Sequence, residues 1–326
     1  MARISVALCT HNGARFVEQQ VASILAQSRL PDQLVVSDDA STDDTIAIVE
    51  RLVAPSPVEL VVLRNEVALG YVANFEQALR ATDGELVALS DQDDSWHPSR
   101  IERAAALFEA DPELLMVHSD AVLVDEHGAS LGHTLFDALG VTAGERAEAA
   151  SGDELAVLLR RNLVTGATAM FRRRAVDLAV PFPDHWVHDE WLAMIATSVG
   201  QGMLLDEPLV DYRQHGSNQI GVTRLGLRGK IGRILEPRSG RNVYLASRAA
   251  VLVDRLEALG ADVRPDALAR AREKLAHLRV REAFSRHRIA RLVRVLREAA
   301  TGRYGRYSRG GGDILRDLLQ PAGDED

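Results

Sequence analysis

The chain has 326 residues, of which 46% are hydrophobic and 26% charged, a balance that supports a sizeable buried core and excludes wholesale disorder. Its one cysteine, Cys9, excludes an internal disulfide framework and a cysteine-rich zinc site. The net charge of -9 is split: residues 1–219 carry 15 basic and 34 acidic residues, residues 220–310 carry 22 and 8, and the last 16 carry 1 and 5. The acidic body argues against nucleic acid as a partner, whereas the basic segment suits an anionic surface or a solvated helical face.

The start MARISVALCTHNG lacks the long apolar stretch and cleavage site of a signal peptide. The longest run without Asp, Glu, Lys or Arg, Trp191 to Leu205, is 15 residues, short of the roughly 20 that span a membrane. A cytoplasmic protein is expected.

Taken in order, Ile4–Leu8 reads as a strand and Phe16–Ala26 as a helix. Leu34–Val36 is a second strand, Thr45–Leu52 a second helix, and Val58–Leu63 a third strand. A helix over Val72–Leu79, a strand over Glu85–Leu89 and a helix over Ile101–Phe108 follow. Leu114–Val117 and Ala121–Val124 read as further strands. Strands alternating with helices imply a doubly wound, parallel α/β sheet. The strands are apolar throughout rather than alternating, as expected when helices cover both faces.

The polar, Ala/Gly-rich stretch Ala138–Ala150 reads as a mobile loop, and Asp153–Arg161 as a short helix with Ser151 as N-cap. Gly166–Phe171 reads as a strand, His188–Ser198 as a helix, and Met203–Val210 as one or two strands around Pro208. From about Asn242 the pattern is helical. Val243–Leu259 ends at Gly260, and Pro265 opens a helix running to about Arg297. Gly302 and Gly310–Gly312 break it, and a short Asp313–Leu319 helix precedes an acidic tail.

In an open α/β sheet functional side chains gather at the carboxyl ends of strands. Three such ends are polar here: Cys9-Thr10-His11-Asn12-Gly13, Ser37-Asp38-Asp39-Ala40-Ser41 and Ser90-Asp91-Gln92-Asp93-Asp94. Three carboxylates within four residues repel one another unless something positive joins them. A hard divalent cation held with a diphosphate answers this, whereas a helix N-terminus accounts for one Asp and not three. Asp38-Asp39 reads either as a loop and helix cap or as part of the same crevice, where a carboxylate accepts an imide N–H or a ribose hydroxyl.

These stretches resemble the family 2 glycosyltransferases of GT-A fold. The likeness runs from residue 3 to about 221 through VALCTHNGARFVEQQVASILAQS, VVSDDASTDDT, LGYVANFEQALRATDGELVALSDQDDSWHPSRI, HSDAVLVDEHG, TGATAMF, HDEWLAMIATSVG and LVDYRQHGSNQIG. DQDDSW and YRQHGSN look most like the rhamnosyltransferase branch, which uses dTDP-rhamnose in building bacterial polysaccharides. The resemblance implies a Rossmann-like doubly wound mixed sheet over residues 1–221 and a basic helical appendage over 222–326. It places Thr10, His11, Asn12, Asp39 and Asp91 at the nucleotide of a dTDP- or UDP-sugar donor. It makes Asp91-Gln92-Asp93 the DXD motif, with Asp93 and His215 as ligands of Mg²⁺ or Mn²⁺, and Asp189 the general base. His215 reads otherwise as a satisfied surface histidine. Glu190 departs from the aromatic residue that rhamnosyltransferase-like members often carry there. The QxxRW motif of processive members is absent, which implies one sugar per binding event.

The chemistry asks for the same parts. A nucleoside diphosphate leaves a sugar's anomeric carbon when its charge is neutralised and the acceptor hydroxyl loses a proton. One in-line attack inverts the centre without an enzyme nucleophile. A nucleotidyltransferase would show a Gly-rich basic loop after strand 1, where this chain has THNGAR, and a non-catalytic nucleotide-sugar-binding module would bind donor without releasing nucleotide. In the basic segment, Leu275, Leu278, Ile289, Leu292, Val293 and Leu296 form an apolar stripe suited to packing on the catalytic domain or on a second copy. Arg286, Arg288, Arg291, Arg294 and Arg297 are expected to face outward. Acceptors in the family are saccharides, often lipid-linked, so this arginine face is expected to meet anionic lipid at the inner membrane surface.

Overall fold

The computed structural model describes residues 1–215, 240–285 and 287–320. Strands and helices alternate as β1 (Ile4–Thr10), α1 (Val17–Leu25), β2 (Gln33–Asp38), α2 (Thr45–Val53), β3 (Glu59–Arg64), α3 (Tyr71–Ala81) and β4 (Leu86–Ser90). A two-residue strand β5 (Ser95–Trp96), helix α4 (Arg100–Ala110) and strands β6 (Leu114–Val124) and β7 (Ser130–Thr134) follow. Then come α5 (Leu135–Leu139), α6 (Ala143–Ala150), α7 (Glu154–Arg160), β8 (Ala169–Arg172), α8 (Arg173–Ala179), α9 (His188–Val199) and β9 (Gln201–Arg213). Among the described residues these strands form one sheet in the order β3-β2-β1-β4-β8-β6-β9-β5, with β7 beside β6.

The sheet is mixed. β3, β2, β1 and β4 run parallel, β8 runs antiparallel to both β4 and β6, and β9 runs parallel to β6. Every residue of β1, β2 and β4 is buried, which is why these runs are apolar on both faces. The strand order reverses at β1 and β4, so the crevice of this fold opens past their carboxyl ends, where Leu8 pairs with Ser90 and Thr10 with Asp38.

The irregular middle departs from the sequence reading. Ala138–Ala150 is not a loop: α5 and α6 occupy most of it, each opened by a reciprocal capping box, Thr134 with Asp137 and Thr142 with Glu145. Ser151 is the C-cap of α6 rather than an N-cap. Leu114–Val117 and Ala121–Val124 are one strand, with register shifts where Asp120 meets Pro208 of β9. Gly166–Thr168 is a 3₁₀ turn, and only then does β8 begin.

The chain divides into two compact units, Met1–Glu154 with Leu163–Val222, and Leu155–Asn162 with Thr223–Asp326. In the second, α10 (Arg241–Leu259) pairs with α11 (Pro265–Glu282), followed by α12 (Arg288–Ala300), α13 (Arg303–Tyr307) and α14 (Gly311–Leu319). The expected single helix from Pro265 to Arg297 is thus two helices. Of the outward arginine series, Arg294 and Arg297 are exposed as expected, Arg286 and the Arg288 side chain lie outside the described residues, and Arg291 is a correction. Arg291 is fully buried and donates from Nη2 to the carbonyls of Leu318 and Gln320, while Ile289, Leu292, Val293 and Leu296 are exposed. The core of this unit is polar in part: Arg281 Nε donates to Asp317 at 2.7 Å, Tyr304 donates to the same carboxylate at 2.6 Å, and His277 lies between Glu298 and Ser308. The acidic tail beyond Gln320 and the Gly216–Asn218 end of the YRQHGSN motif lie outside the described residues. Among the described residues no helix is long and apolar enough to cross a membrane.

Candidate active site

The acidic turn after β4 splits into three different carboxylates. Asp94 is buried and accepts the main-chain N–H of Arg213 at 3.0 Å. Beneath it lies Arg100, the first residue of α4, also buried, its guanidinium 3.6 Å from the Trp96 ring centroid. Burial pulls Arg100 down to about 9, against the charges of Asp94 and Asp91 that hold it up. The crowding of carboxylates therefore has a protein answer for two of the three: Arg100 is the positive charge near Asp91 and Asp94. A cation at the first turn of a helix opposes the macrodipole, and that anomaly is the signal in the sequence that sets Arg100 apart.

Asp93 faces elsewhere. Its Oδ2 is 2.7 Å from His215 Nε2, and the imidazole stacks on Phe16 with ring centroids 5.0 Å apart. Arg213, buried at the end of β9, fixes this turn from behind. It donates from Nε to the Asp93 carbonyl at 2.7 Å, and from its Nη atoms to the Asp125 carbonyl and to Gln19 Oε1. Asp91 is pushed up to about 7, chiefly by burial and then by the charges of Asp93 and Asp189.

Asp93 and His215 suit a divalent cation that arrives with a diphosphate. Among the described residues no group of three His, Cys, Asp or Glu side chains closes into a protein-only cage. Mg²⁺ is commonly held by one or two carboxylates with substrate phosphates completing the shell. The Asp93 carboxylate fits that donor set, and the His215 imidazole 2.7 Å from it offers a nitrogen donor beside the oxygen, so the residues fit the implied metal.

Asp189, the second residue of α9, is buried. Its Oδ2 accepts the Gly166 N–H at 2.8 Å and its Oδ1 accepts the Glu190 N–H at 2.6 Å. Burial raises it to about 6 against these hydrogen bonds, and its charge reaches Asp91. Glu190 is partly exposed. The preceding His188 is buried and stacked on Phe75 at 4.0 Å, and among the described residues neither ring nitrogen has a hydrogen-bond partner. Burial pulls it to about 3, so it is neutral.

At the other wall, Thr10 Oγ1 donates to Asp38 at 2.6 Å, and Gln92 holds His11 through both main-chain groups. His11 Nδ1 donates to the Asp39 carbonyl at 2.6 Å. Asn12, in the left-handed region at φ 47°, receives the Thr42 N–H on its side-chain oxygen. The Asp39 carboxylate accepts Leu69 N–H at 2.6 Å, Gly70 N–H at 2.9 Å and Asn65 Nδ2 at 3.2 Å, so it shapes the loop entering α3. Every residue that the sequence singled out thus lies past the carboxyl edge of the sheet or at the start of α9. Gln92, Arg100, Arg213 and His188 stand behind them without having been assigned a role from sequence.

Residues 5–177 match the family model described as glycosyl transferase family 2. An uncharacterized glycosyltransferase of Nostoc sp. is 27% identical over 227 residues, 66% of this chain and 66% of that protein. The dTDP-rhamnosyl transferase RfbG of Shigella flexneri is 26% identical over 229 residues, 66% of this chain and 74% of its own. The chain therefore spans about two thirds of the Nostoc protein's length. Among solved structures, S. aureus TarS 1–349 in complex with UDP-GlcNAc has a TM-score of 0.59 at 17% identity, covering 97% of this chain and 90% of that one.

Proposed function

Because the chain belongs to glycosyl transferase family 2 and has the GT-A fold, we propose that it transfers one sugar, with inversion, from a nucleoside-diphosphate donor to a hydroxyl of a saccharide or lipid-linked saccharide. The observation that carries this reading is that two carboxylates from different elements converge electrostatically on a third. Asp93, hydrogen-bonded to His215, and the buried Asp189 of α9 both raise the pKa of Asp91. Rhamnose from dTDP-rhamnose is the proposed donor, supported by the likeness to RfbG and by DQDDSW and YRQH in the sequence. The product belongs to a bacterial cell-surface polysaccharide, and the reaction runs in the cytoplasm. Residues 1–221 carry the catalysis.

In this reading the Thr10-His11-Asn12 loop, Asp39 and Asp91 receive the base and ribose. Asp39 does so by holding the Leu69–Gly70 backbone in place as much as by contact. Asp93 and His215 would hold Mg²⁺ or Mn²⁺, which when bound supplies positive charge against the leaving diphosphate. Asp189 takes the proton from the acceptor hydroxyl as that oxygen attacks the anomeric carbon. Its elevated pKa brings it closer to the hydroxyl it serves while leaving it ionised at neutral pH. The backbone N–H groups of Gly166 and Glu190 keep the carboxylate oriented.

The test is nucleoside-diphosphate release from a panel of dTDP-, UDP- and GDP-sugars, with Mg²⁺, Mn²⁺ or EDTA. Metal-dependent release that is fastest with dTDP-rhamnose is the expected result. Release from another donor alone overturns the rhamnose assignment, and release undiminished in EDTA overturns the metal.

A further inference from the structure

Helix α12 is inside out relative to an ordinary surface helix. Its buried side carries Arg291, Val295 and Glu298, the last accepting from His277 Nδ1 at 2.8 Å. Its outer side carries Ile289, Leu292, Val293 and Leu296, with relative exposures of 87, 43, 51 and 54%. The spacing i, i+3, i+4, i+7 places these four on one face. A charged residue spent inward, where Arg291 ties down the Leu318 and Gln320 carbonyls, leaves the apolar stripe uncovered among the described residues. Contiguous aliphatic surface of this kind marks an interaction site.

We propose that α12 lies flat on an anionic lipid bilayer, with the Ile289-Leu292-Val293-Leu296 stripe in the acyl boundary. Charge selects this occupant over a second copy of the chain. Residues 286–309 contain eight arginines and one acidic residue, Glu298, which is buried. Arg297 is exposed and borders the stripe about a quarter-turn round the helix, at headgroup height, and the exposed Arg294 lies further round on the same side. Two such surfaces brought face to face repel each other, whereas anionic headgroups neutralise the arginines while the acyl region takes the stripe. At 13 residues the helix is too short to cross a bilayer, so it lies in the interface. The structure thus replaces the arginine-faced contact read from the sequence with an apolar insertion framed by arginines. The inference is independent of the donor chemistry, since none of these residues belongs to the proposed catalytic machinery.

The experiment is co-sedimentation of the full chain with vesicles of phosphatidylcholine alone and with phosphatidylglycerol added. It compares wild type with the combined variant Ile289→Ser, Leu292→Ser, Val293→Ser, Leu296→Ser, and with Arg294→Gln, Arg297→Gln. The expected result is binding to the anionic vesicles at least tenfold stronger than to neutral ones. The serine variant should lose at least tenfold at any salt, and the glutamine variant should lose severalfold. Thermal unfolding and donor hydrolysis in solution should be unchanged in the serine variant, because exposed side chains have been altered. Equal anionic-vesicle binding by wild type and the serine variant overturns the proposal. So does an absence of vesicle binding together with a wild-type dimer, seen by sedimentation velocity, that the serine variant abolishes.

Discussion

Gln92 grips His11 by both main-chain polar groups, accepting its N–H on Oε1 at 2.8 Å and donating from Nε2 to its carbonyl at 3.1 Å. The middle residue of the acidic turn is thus a clamp that locks the end of β4 to the end of β1. The clamp also explains the glycine in the first loop, since a Cβ at Gly13 would stand 2.1 Å from Gln92 Oε1.

Gly13→Ala should therefore displace the Gln92 amide, break both hydrogen bonds and free the Thr10–Asn12 loop. A loss of about 1 kcal/mol in urea stability is expected from two solvent-exposed hydrogen bonds, with KM for the donor rising more than kcat falls. Unchanged donor KM would show that the loop does not position the nucleotide.

Asp93→Asn should leave thermal unfolding near that of wild type while removing most metal-stimulated nucleotide release, because an amide is a poor ligand for a hard cation. EDTA should reduce wild-type release to the level of the variant. Full activity in either case contradicts a metal role for Asp93.

Asp189→Asn should lower kcat about a hundredfold or more with little change in donor affinity. In wild type, kcat should climb with pH as the carboxylate ionises, with a midpoint near 6, and level off above it. If Glu190→Gln is inactive and Asp189→Asn is active, the base is the neighbouring residue.

Arg100→Met should cost about 1–3 kcal/mol, since the buried Asp94 loses the positive charge that offsets it and Trp96 loses its stacked guanidinium. Adding Asp94→Asn should recover part of that loss in a urea double-mutant cycle. Additive losses would show that Arg100 acts through its packing on Trp96 alone.

His188 supplies a pH test of stability. Its folded pKa of about 3 lies below the 6.5 of an ordinary histidine, so in that window the unfolded chain binds a proton that the folded one does not, and stability falls as pH falls. His188→Leu lacks this liability. Between pH 7 and pH 5 the urea stability of the variant relative to wild type should improve by about 2 kcal/mol. No relative change would mean that the imidazole gains a partner in solution.

The parallel half of the sheet was legible in the sequence because β1, β2 and β4 are buried on both faces and bounded by polar turns. The helices α5 and α6 were not, since their signal lies in two Thr-x-x-acid capping boxes at Thr134 and Thr142 rather than in apolar periodicity. The acidic turn was legible as a site, yet its charge balance was not. Arg100 stands six residues beyond Asp94 and acts on it through space, a relation that no motif spacing announces. In α12 the helical period is legible and Arg294 and Arg297 face outward as expected, but the apolar stripe is exposed and Arg291 buried, because hydrophobic spacing fixes a stripe and says nothing of which side a buried Arg291 will claim.

β9 delivers Arg213 and His215 to partners that precede them by about 120 residues, Asp93 and Asp94 among them. The acidic turn is therefore complete only after a very long chain closure, so its assembly belongs late in folding, behind the local β1-α1-β2 contacts. A nascent chain that has not yet emitted β9 carries the acidic turn without the Arg213 main-chain N–H and guanidinium that hold it. The same geometry sets a rule for recombination with relatives: a segment containing residues 90–96 transplants together with 208–215, or else the donor and the host contribute halves of one turn that have never met.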